Sequence, residues 1–381
     1  MNSVAVKGRG LFSPSVPAES AVSATPGWLI SRGQDLIWFQ GSVFAGVALL
    51  LLFKLFPGLN NVNYNALNPA VIILLLWGIF LDGTHVFGTF ARTYFAPDEK
   101  SKAGLPSNAA LLWLGLGPVI AVLDYFLCTP SASIVGQAGI LFKGFLVFAL
   151  VWAYYHLIRQ HYGFVALYRR KEPVKDTGNL DTWFLWVGSL YPYLRFSLTP
   201  AFAESGLPVL VPASMIGTAT LALDVAFGAI MVGLMVAGLW SRRSKPRPLG
   251  PKHLLIAIVV TFHILVFSFL SNLLVITAVL TIFHNLQYHR IIFMYEKGNK
   301  RVPMGGISKY IIFGSLFGLA WYGPRFMGTA IAGTAGLFLV TNILLGLGWG
   351  VAFHHYFVDA RIWRVRSTPN VGNSLDRGAE A

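Results

Sequence analysis

The chain contains repeated, continuously apolar stretches of about 20 residues, the length that an α-helix needs to cross a bilayer. Fifty-five per cent of its 381 residues are hydrophobic and only 12% are charged. A water-soluble fold of this length could not bury so much apolar surface. The stretches do not alternate between polar and apolar residues, which excludes an outer-membrane β-barrel. The sequence therefore predicts an all-α, polytopic transmembrane helical bundle.

We predict about ten membrane-spanning helices. They cover residues 36–56, 68–91, 109–128, 136–168, 180–197, 214–240, 252–270, 272–296, 308–324 and 329–362. The fifth has the weakest pattern, because Pro192 interrupts its short apolar core. These helices form one predicted transmembrane domain over 35–363, with disordered cytoplasmic tails at 1–34 and 364–381.

The connections between the predicted spans differ in charge from one side to the other. Residues 57–67 and 129–135 carry no charge, and 324–328 carry only Arg325, whereas the alternate connections are rich in Lys and Arg. By the positive-inside rule, the cation-rich connections and both termini are cytoplasmic. We therefore expect a multi-pass integral membrane protein, located in the inner membrane if the source is bacterial.

The net charge of +14 raises the question of a nucleic-acid partner. The cations lie in short connections between apolar segments, a distribution typical of topology signals and of contacts with lipid headgroups. Nucleic-acid binding would require a basic groove or face, which this pattern does not provide. We expect membrane lipids, and no nucleic acid, as partners.

Seven of the nine histidines lie near the predicted cytoplasmic ends of four helices. The groups are His85 with Asp82 on the second span, His156 and His161 on the fourth, His284 and His289 on the eighth, and His354 and His355 with Asp359 on the tenth. Under the predicted topology these four helices run in the same direction across the membrane. The four groups are therefore expected at comparable depth.

Clustered imidazoles in a helical bundle are typical of a metal site. Imidazole is a common ligand for iron, zinc and copper, and carboxylates complement it for iron. We predict all seven clustered histidines as ligands, with Asp82 or Asp359 as a ligand or an orienting group, a set that suits two metals. The two members of each H-x4-H pair lie about 140° apart on an ideal helix. Both could ligate only by flanking a metal pair or through a local π-bulge.

The remaining polar residues within the spans have simpler interpretations. His263 is predicted to make a packed, hydrogen-bonded contact between helices, and His253 to be solvated at the interface. Lys143 and Asp124 flank one short loop and are predicted to form a structural ion pair that also involves Asp224. A proton path through these groups is the alternative.

The two H-x4-H groups and the His354–His355 doublet resemble the histidine-box membrane enzymes, the desaturase and hydroxylase class. In that family, histidines at the cytosolic ends of helices hold a di-iron centre that activates oxygen against lipid-like substrates. This chain lacks an H-x2-HH box and has more predicted spans than that family usually has. It also resembles the bacterial membrane oxygenases that cleave carotenoids, which combine many helices with scattered iron-binding histidines.

These observations lead to one functional hypothesis and two alternatives. The hypothesis is a membrane-embedded non-haem iron oxidoreductase with two irons, a lipid, isoprenoid or carotenoid substrate and a soluble electron donor. The first alternative is a haem-binding electron-transfer protein, or a site for another transition metal. The second is a proton-coupled transporter, which would place ionisable residues across the whole membrane.

Overall fold

The computed structural model describes residues 27–60, 68–95, 107–132, 137–172, 179–244, 249–335, 337–365 and 369–380. Each of the ten predicted spans overlaps a helix. In chain order the helices are α1 (Arg32–Leu55), α2 (Pro69–Phe95), α3 (Ser107–Leu127), α4 (Ile140–Lys171), α5 (Leu180–Phe196), α6 (Pro200–Glu204), α7 (Ile216–Ser244), α8 (Pro251–Phe269), α9 (Leu273–Gly298), α10 (Ile307–Ala335), α11 (Phe338–Ile362) and α12 (Pro369–Glu380). A short antiparallel ribbon of β1 (Ser131–Ala132) and β2 (Gln137–Ala138) joins α3 to α4, so the architecture is not purely α-helical.

Among the residues that the structure describes, seven helices are long and apolar enough to cross a membrane, namely α1, α2, α3, α4, α7, α8 and α11. The chain is therefore a helical membrane protein. Helix α5 has only 17 residues. The second half of α9 carries the polar run HNLQYHR, and α10 contains Pro324 and Arg325, so these helices are less apolar.

Helix α9 lies inside the bundle, with buried residues from Val275 to Gly298. It packs against α1, α2, α4 and α8, while α11 packs against α2, α3, α4 and α10. Helices α2 and α10 cross closely at Gly83, where a Cβ atom would collide with the backbone of Gly318. Such close backbone approach is the usual role of glycine between membrane helices. This crossing fixes the position of α2 immediately before His85.

Helices α1 and α2 contain π-helical turns, at Leu36–Gln40 in α1 and at Gly78–Asp82 and Ala91–Phe95 in α2. Helices α4 and α9, in contrast, are regular through their H-x4-H pairs. The sequence had suggested a π-bulge only at those pairs. The structure instead has π-helical turns in α1 and α2. The turn at Gly78–Asp82 lies just before His85, where it changes the direction in which the following side chains point.

The C-terminal segment differs from its prediction as a disordered tail, because residues 369–380 form α12. Its side chains Val371 and Leu375 are buried against the bundle, and Asp376 pairs with Arg170 at 2.7 Å. A four-residue spacing places these two apolar side chains on one face of a helix. At the other end, Arg32 begins α1, and residues 1–26 of the predicted N-terminal tail lie outside the described residues.

The boundary between the last two predicted spans is also different. The prediction ended the ninth span at residue 324 and began the tenth at 329, whereas α10 continues without a break to Ala335. Proline is tolerated inside membrane helices because neighbouring groups satisfy the freed backbone carbonyl. Pro324 therefore does not end α10.

The predicted ion pair between Asp124 and Lys143 is wrong. Asp124 accepts hydrogen bonds from the backbone N–H groups of Gly139, at 2.6 Å, and of Phe142, at 3.0 Å. Lys143 donates instead to the Ser131 hydroxyl at 2.7 Å. The carboxylate thus occupies the N-terminus of α4, where unpaired amides and the helix dipole favour a negative charge.

Asp224 also has a different partner from the one predicted. It pairs with Arg195 across α5 and α7 at 3.1 Å. His263 is fully buried, and its Nδ1 lies 2.7 Å from the Tyr154 hydroxyl, which confirms the predicted hydrogen-bonded contact between helices. His253 is half-buried and its Nδ1 accepts from the Gly250 N–H, so it caps α8.

Candidate metal centre

Four buried imidazoles from α2, α4, α9 and α11 meet inside the bundle. They are His85, His156, His284 and His355, and none is more than 8% exposed. The ring centroids of His85 lie 4.7 Å from those of both His284 and His355. His156 closes the arrangement at 5.3 Å from His284 and 4.9 Å from His355. We call this arrangement the histidine ring.

The Nε2 atom of His85 faces the Nε2 atoms of two neighbours in the histidine ring. The Nε2 atom of His85 lies 3.2 Å from that of His284 and 3.0 Å from that of His355. Each of these two contacts has the length of a hydrogen bond between imidazoles, and the same length also suits two imidazoles that donate lone pairs to one cation. Two imidazole nitrogens on one metal, each about 2.1 Å away and about 90–110° apart, are about 3.0–3.4 Å from each other. The observed spacing fits that geometry.

Several nitrogens of the histidine ring have no hydrogen-bond partner among the described residues. They are Nδ1 of His85 and of His284, and Nε2 of His156. Buried polar atoms without a partner are rare in proteins, and a group of them calls for a bound ion or water. These three nitrogens are therefore available to a ligand.

The donor atoms fall into two adjoining sets. One nitrogen from each of His85, His156 and His284 lies within 4.8 Å of the others, and so do donor atoms of His156, His355 and Asp359. The two sets share His156. Imidazole with a carboxylate is a donor combination that suits iron as well as other transition metals. The residues present therefore fit a metal centre.

The side chain of His355 is oriented by a hydroxyl and a carboxylate. The Thr89 hydroxyl donates to Asp359 Oδ1 at 2.8 Å and lies 2.7 Å from His355 Nδ1. Tyr288 donates to the same carboxylate oxygen at 2.7 Å. Because the Thr89 proton goes to Asp359, its oxygen accepts from Nδ1–H of His355. The Nε2 atom of His355 then presents its lone pair to the histidine ring, as a metal ligand must.

His289 and His354 do not enter the histidine ring. His289 contacts Thr84 at 3.2 Å and the Tyr310 hydroxyl at 3.0 Å, one with each ring nitrogen. His354 Nε2 lies 2.7 Å from the Tyr94 hydroxyl. These contacts are those of imidazoles that hold helices together.

His161 also lies outside the histidine ring, 6.5 Å from His284 between ring centroids. It is fully buried, and neither of its ring nitrogens has a hydrogen-bond partner among the described residues. Each H-x4-H pair thus sends one histidine into the ring and one away from it. This is the result expected for residues about 140° apart on a regular helix.

Asp82 lies beside the histidine ring. Its carboxylate accepts a hydrogen bond from Tyr322 at 2.6 Å and from Asn285, next to His284, at 3.4 Å. Of the two predicted carboxylates, Asp359 is the one with an oxygen within 4.8 Å of donor nitrogens of His156 and His355. Asp82 instead lines the adjacent cavity.

The histidine ring forms one wall of a cavity of about 200 Å³. Leucine, isoleucine, tryptophan and tyrosine side chains make up most of the remaining wall, which is mainly apolar. The lining residues of α4, α9 and α11 begin at Leu146, Leu273 and Thr341, well before the histidines of these helices. The cavity therefore extends from the histidine ring toward the end of the bundle that the charge pattern predicts to be non-cytoplasmic.

Thr89, Tyr288 and Tyr322 were not identified from the sequence as residues of the site. Thr89 and Tyr288 each lie four residues after a ring histidine, His85 and His284. Side chains with this spacing lie on one face of a helix, so their position was a usable signal. Tyr322 lies on another helix, and nothing in the sequence linked it to Asp82.

No family model matches the chain, and no curated protein or solved structure matches it either. The fold and the site by themselves define the class of protein, a polytopic helical membrane protein with buried histidines close enough together to hold a metal.

Proposed function

We propose that this protein is a membrane-embedded, histidine-ligated metalloenzyme, specifically a non-haem iron oxidoreductase that acts on a lipid or isoprenoid chain. One observation carries the proposal. Four buried imidazoles from four helices face one another at the wall of a mainly apolar cavity.

A bound metal would explain why these imidazoles are buried together, because the arrangement would destabilise the fold without one. A buried polar atom that lacks a partner destabilises a protein by about 1–3 kcal/mol. Ring nitrogens of His85, His156 and His284 are in this situation. A structural role alone would not require four helices to bring four imidazoles together, whereas a bound cation offers a partner to the nitrogens that face it.

Iron is the metal whose chemistry best fits this environment. The second donor set combines two imidazoles with the Asp359 carboxylate. Because both sets include His156, two ions would be neighbours, and His156 itself would ligate one of them. Bound iron supplies the activation of oxygen, which protein side chains cannot perform. The residues of this chain hold the ligands, orient His355 through Thr89, and keep bulk water away with the apolar wall.

The cavity supports a lipid-like substrate. Leu150, Leu157 and Leu280 line it together with several aromatic side chains. An apolar chain gains free energy by leaving water for such a wall, but a charged solute would lose its hydration. The substrate would reach the histidine ring from the membrane, and a soluble electron donor would approach the cytoplasmic ends of the helices.

A haem is a less suitable occupant. Axial ligation would place a porphyrin between two imidazole nitrogens. The Nε2 atoms of His85 and His355 are only 3.0 Å apart, which leaves no space for a porphyrin plane. A transporter is also less suitable, because the buried histidines are gathered at one level rather than distributed across the bundle.

Elemental analysis and an absorbance spectrum of the protein purified in detergent without chelators test the proposal. We expect about two irons per chain and no intense Soret band. Oxygen consumption in the presence of fatty acyl and polyene chains, with a chemical reductant, then tests the reaction. A Soret band, or a protein without stoichiometric transition metal, contradicts the proposal.

A further inference from the structure

A second cavity, of about 370 Å³, lies between α2, α9 and the connection from α9 to α10. Gly88 and Arg92 on α2 and Glu296 on α9 line it, all of them after the ring histidines of their helices. It therefore extends in the opposite direction from the first cavity, toward the face that the charge pattern predicts to be cytoplasmic. Its volume is sufficient for a small molecule.

Arg92 is the unusual residue of this second cavity. Its side chain is only 3% exposed, and its guanidinium lies between the rings of Tyr295, at 3.9 Å, and Trp363, at 3.7 Å. One nitrogen, Nη2, donates to the backbone oxygen of Ile362 at 2.9 Å. The other two, Nε and Nη1, have no hydrogen-bond partner in the described part of the chain.

The other charges of the wall do not neutralise Arg92. Glu296 forms two hydrogen bonds with Arg301, at 2.8 Å and 3.2 Å, so this pair cancels itself. Asp359 is engaged by Thr89 and Tyr288 beside the histidine ring, and its charge attracts that of Arg92 without a direct contact between the two side chains. Within the described residues, Arg92 has no carboxylate in contact, and a buried charge is costly unless it is paired. The wall is thus left with one positive charge.

We propose that the second cavity is a binding site for an oxyanion, a phosphate or carboxylate group, with Arg92 as its principal contact. Guanidinium groups bind these oxyanions through strong, charge-assisted hydrogen bonds. The two aromatic rings hold the guanidinium in a fixed position. The anion belongs either to a soluble molecule or to the headgroup of an anionic lipid, since both carry this chemistry. The site does not depend on the metal assignment.

Thermal unfolding and calorimetry of the full-length protein in detergent test this site, with inorganic phosphate and succinate as probes and chloride to keep the ionic strength constant. We expect at least one of the two probes to raise the melting temperature of the wild-type protein and to bind saturably. Arg92→Gln should weaken that binding about tenfold or more. Arg364→Gln removes an exposed cation that directly follows Trp363 in the chain and should leave binding unchanged.

A second variant covers the case in which Arg92→Gln does not fold. Ala91→Leu adds a larger side chain to the wall and should also weaken binding, while Arg92 remains in place. Nanodiscs made with phosphatidylglycerol or with phosphatidylcholine distinguish the source of the anion. Stabilisation by phosphatidylglycerol alone, lost in Arg92→Gln, identifies a headgroup site. Absence of any Arg92-dependent effect of phosphate, succinate and anionic lipid overturns the proposal, whatever the metal content.

Discussion

Two buried polar regions of this protein differ in whether the chain supplies partners for their polar groups. At the start of α8, Lys252 is 2% exposed and contacts Glu172 at 2.8 Å and Asp181 at 2.6 Å, so the chain itself supplies its counter-charges. In the histidine ring, by contrast, Nδ1 of His284 and Nε2 of His156 have no partner among the described residues. Burial alone therefore does not mark a functional residue. A polar group that the chain leaves without a partner is the informative one.

This difference predicts that substitutions in the two regions change different quantities, stability in one and metal content in the other. Substitutions near Lys252 should change the stability of the fold but not its metal content. Substitutions in the histidine ring should remove metal, and with it only the stability that metal binding adds.

The largest expected effect is that of His284→Ala. Removing one of the four imidazoles takes a donor from the centre of the histidine ring, and we expect metal affinity to fall by about 100-fold or more. Metal content after dialysis against a weak chelator measures this loss. His354→Ala is the matched control, since His354 contacts Tyr94 instead. Equal loss of metal from both variants would mean that the ring is not the binding site.

Lys252→Ala should have the next largest effect, on stability. It leaves the carboxylates of Glu172 and Asp181 without their shared cation, and such losses cost about 3 kcal/mol. Chemical denaturation in detergent measures the change, with exposed Lys309→Ala as the control. Metal content should stay at the wild-type level. A Lys252→Ala protein that folds normally but loses its metal would break the distinction between the two regions.

Asp359→Asn should weaken metal binding about tenfold, a typical effect of changing a group that orients a ligand. The amide is a poorer acceptor for Thr89 and Tyr288, so the Nδ1–H of His355 is held less firmly. Competition with a chromogenic chelator measures the affinity. If the affinity does not change, Asp359 neither ligates the metal nor orients His355.

The smallest expected effect is that of Asp224→Asn. Its pair with Arg195 joins α5 to α7, and both side chains are 39% exposed. Polar contacts between membrane helices contribute about 1 kcal/mol. A small decrease in melting temperature with unchanged metal content is the expected result. Solute uptake into proteoliposomes that is lost in Asp224→Asn would instead support the transporter alternative, in which Asp224 is functional.

Much of the fold was predictable, because apolar length alone locates helices in a membrane protein. Helix α7 illustrates this: none of its most apolar stretch is buried inside the bundle, and the apolar length of its sequence alone was enough to locate it. Helix α12 was missed because only Val371 and Leu375 mark its buried face, in a segment otherwise rich in polar residues and glycine. The ion pair of Asp124 was mispredicted because backbone amides, which sequence patterns do not show, are its partners.

For the site, the sequence predicted that histidines of four helices would meet, but it predicted both members of each H-x4-H pair as ligands, whereas one member of each pair lies in the histidine ring. It did not show which member of each pair points inward. That choice depends on the rotation of each helix, which is set by packing such as the crossing of Gly83 and Gly318. The orienting groups Thr89 and Tyr288 were unrecognised because their partner, Asp359, is on a third helix.

The most direct test of the histidine ring as a metal centre is X-ray absorption at the metal edge of the purified protein. We predict nitrogen and oxygen neighbours at about 2.0–2.2 Å with the multiple scattering typical of several imidazoles. In His284→Ala the imidazole signal should decrease or the metal should be absent. A metal without imidazole scattering, or the same imidazole signal in His284→Ala, would contradict the assignment.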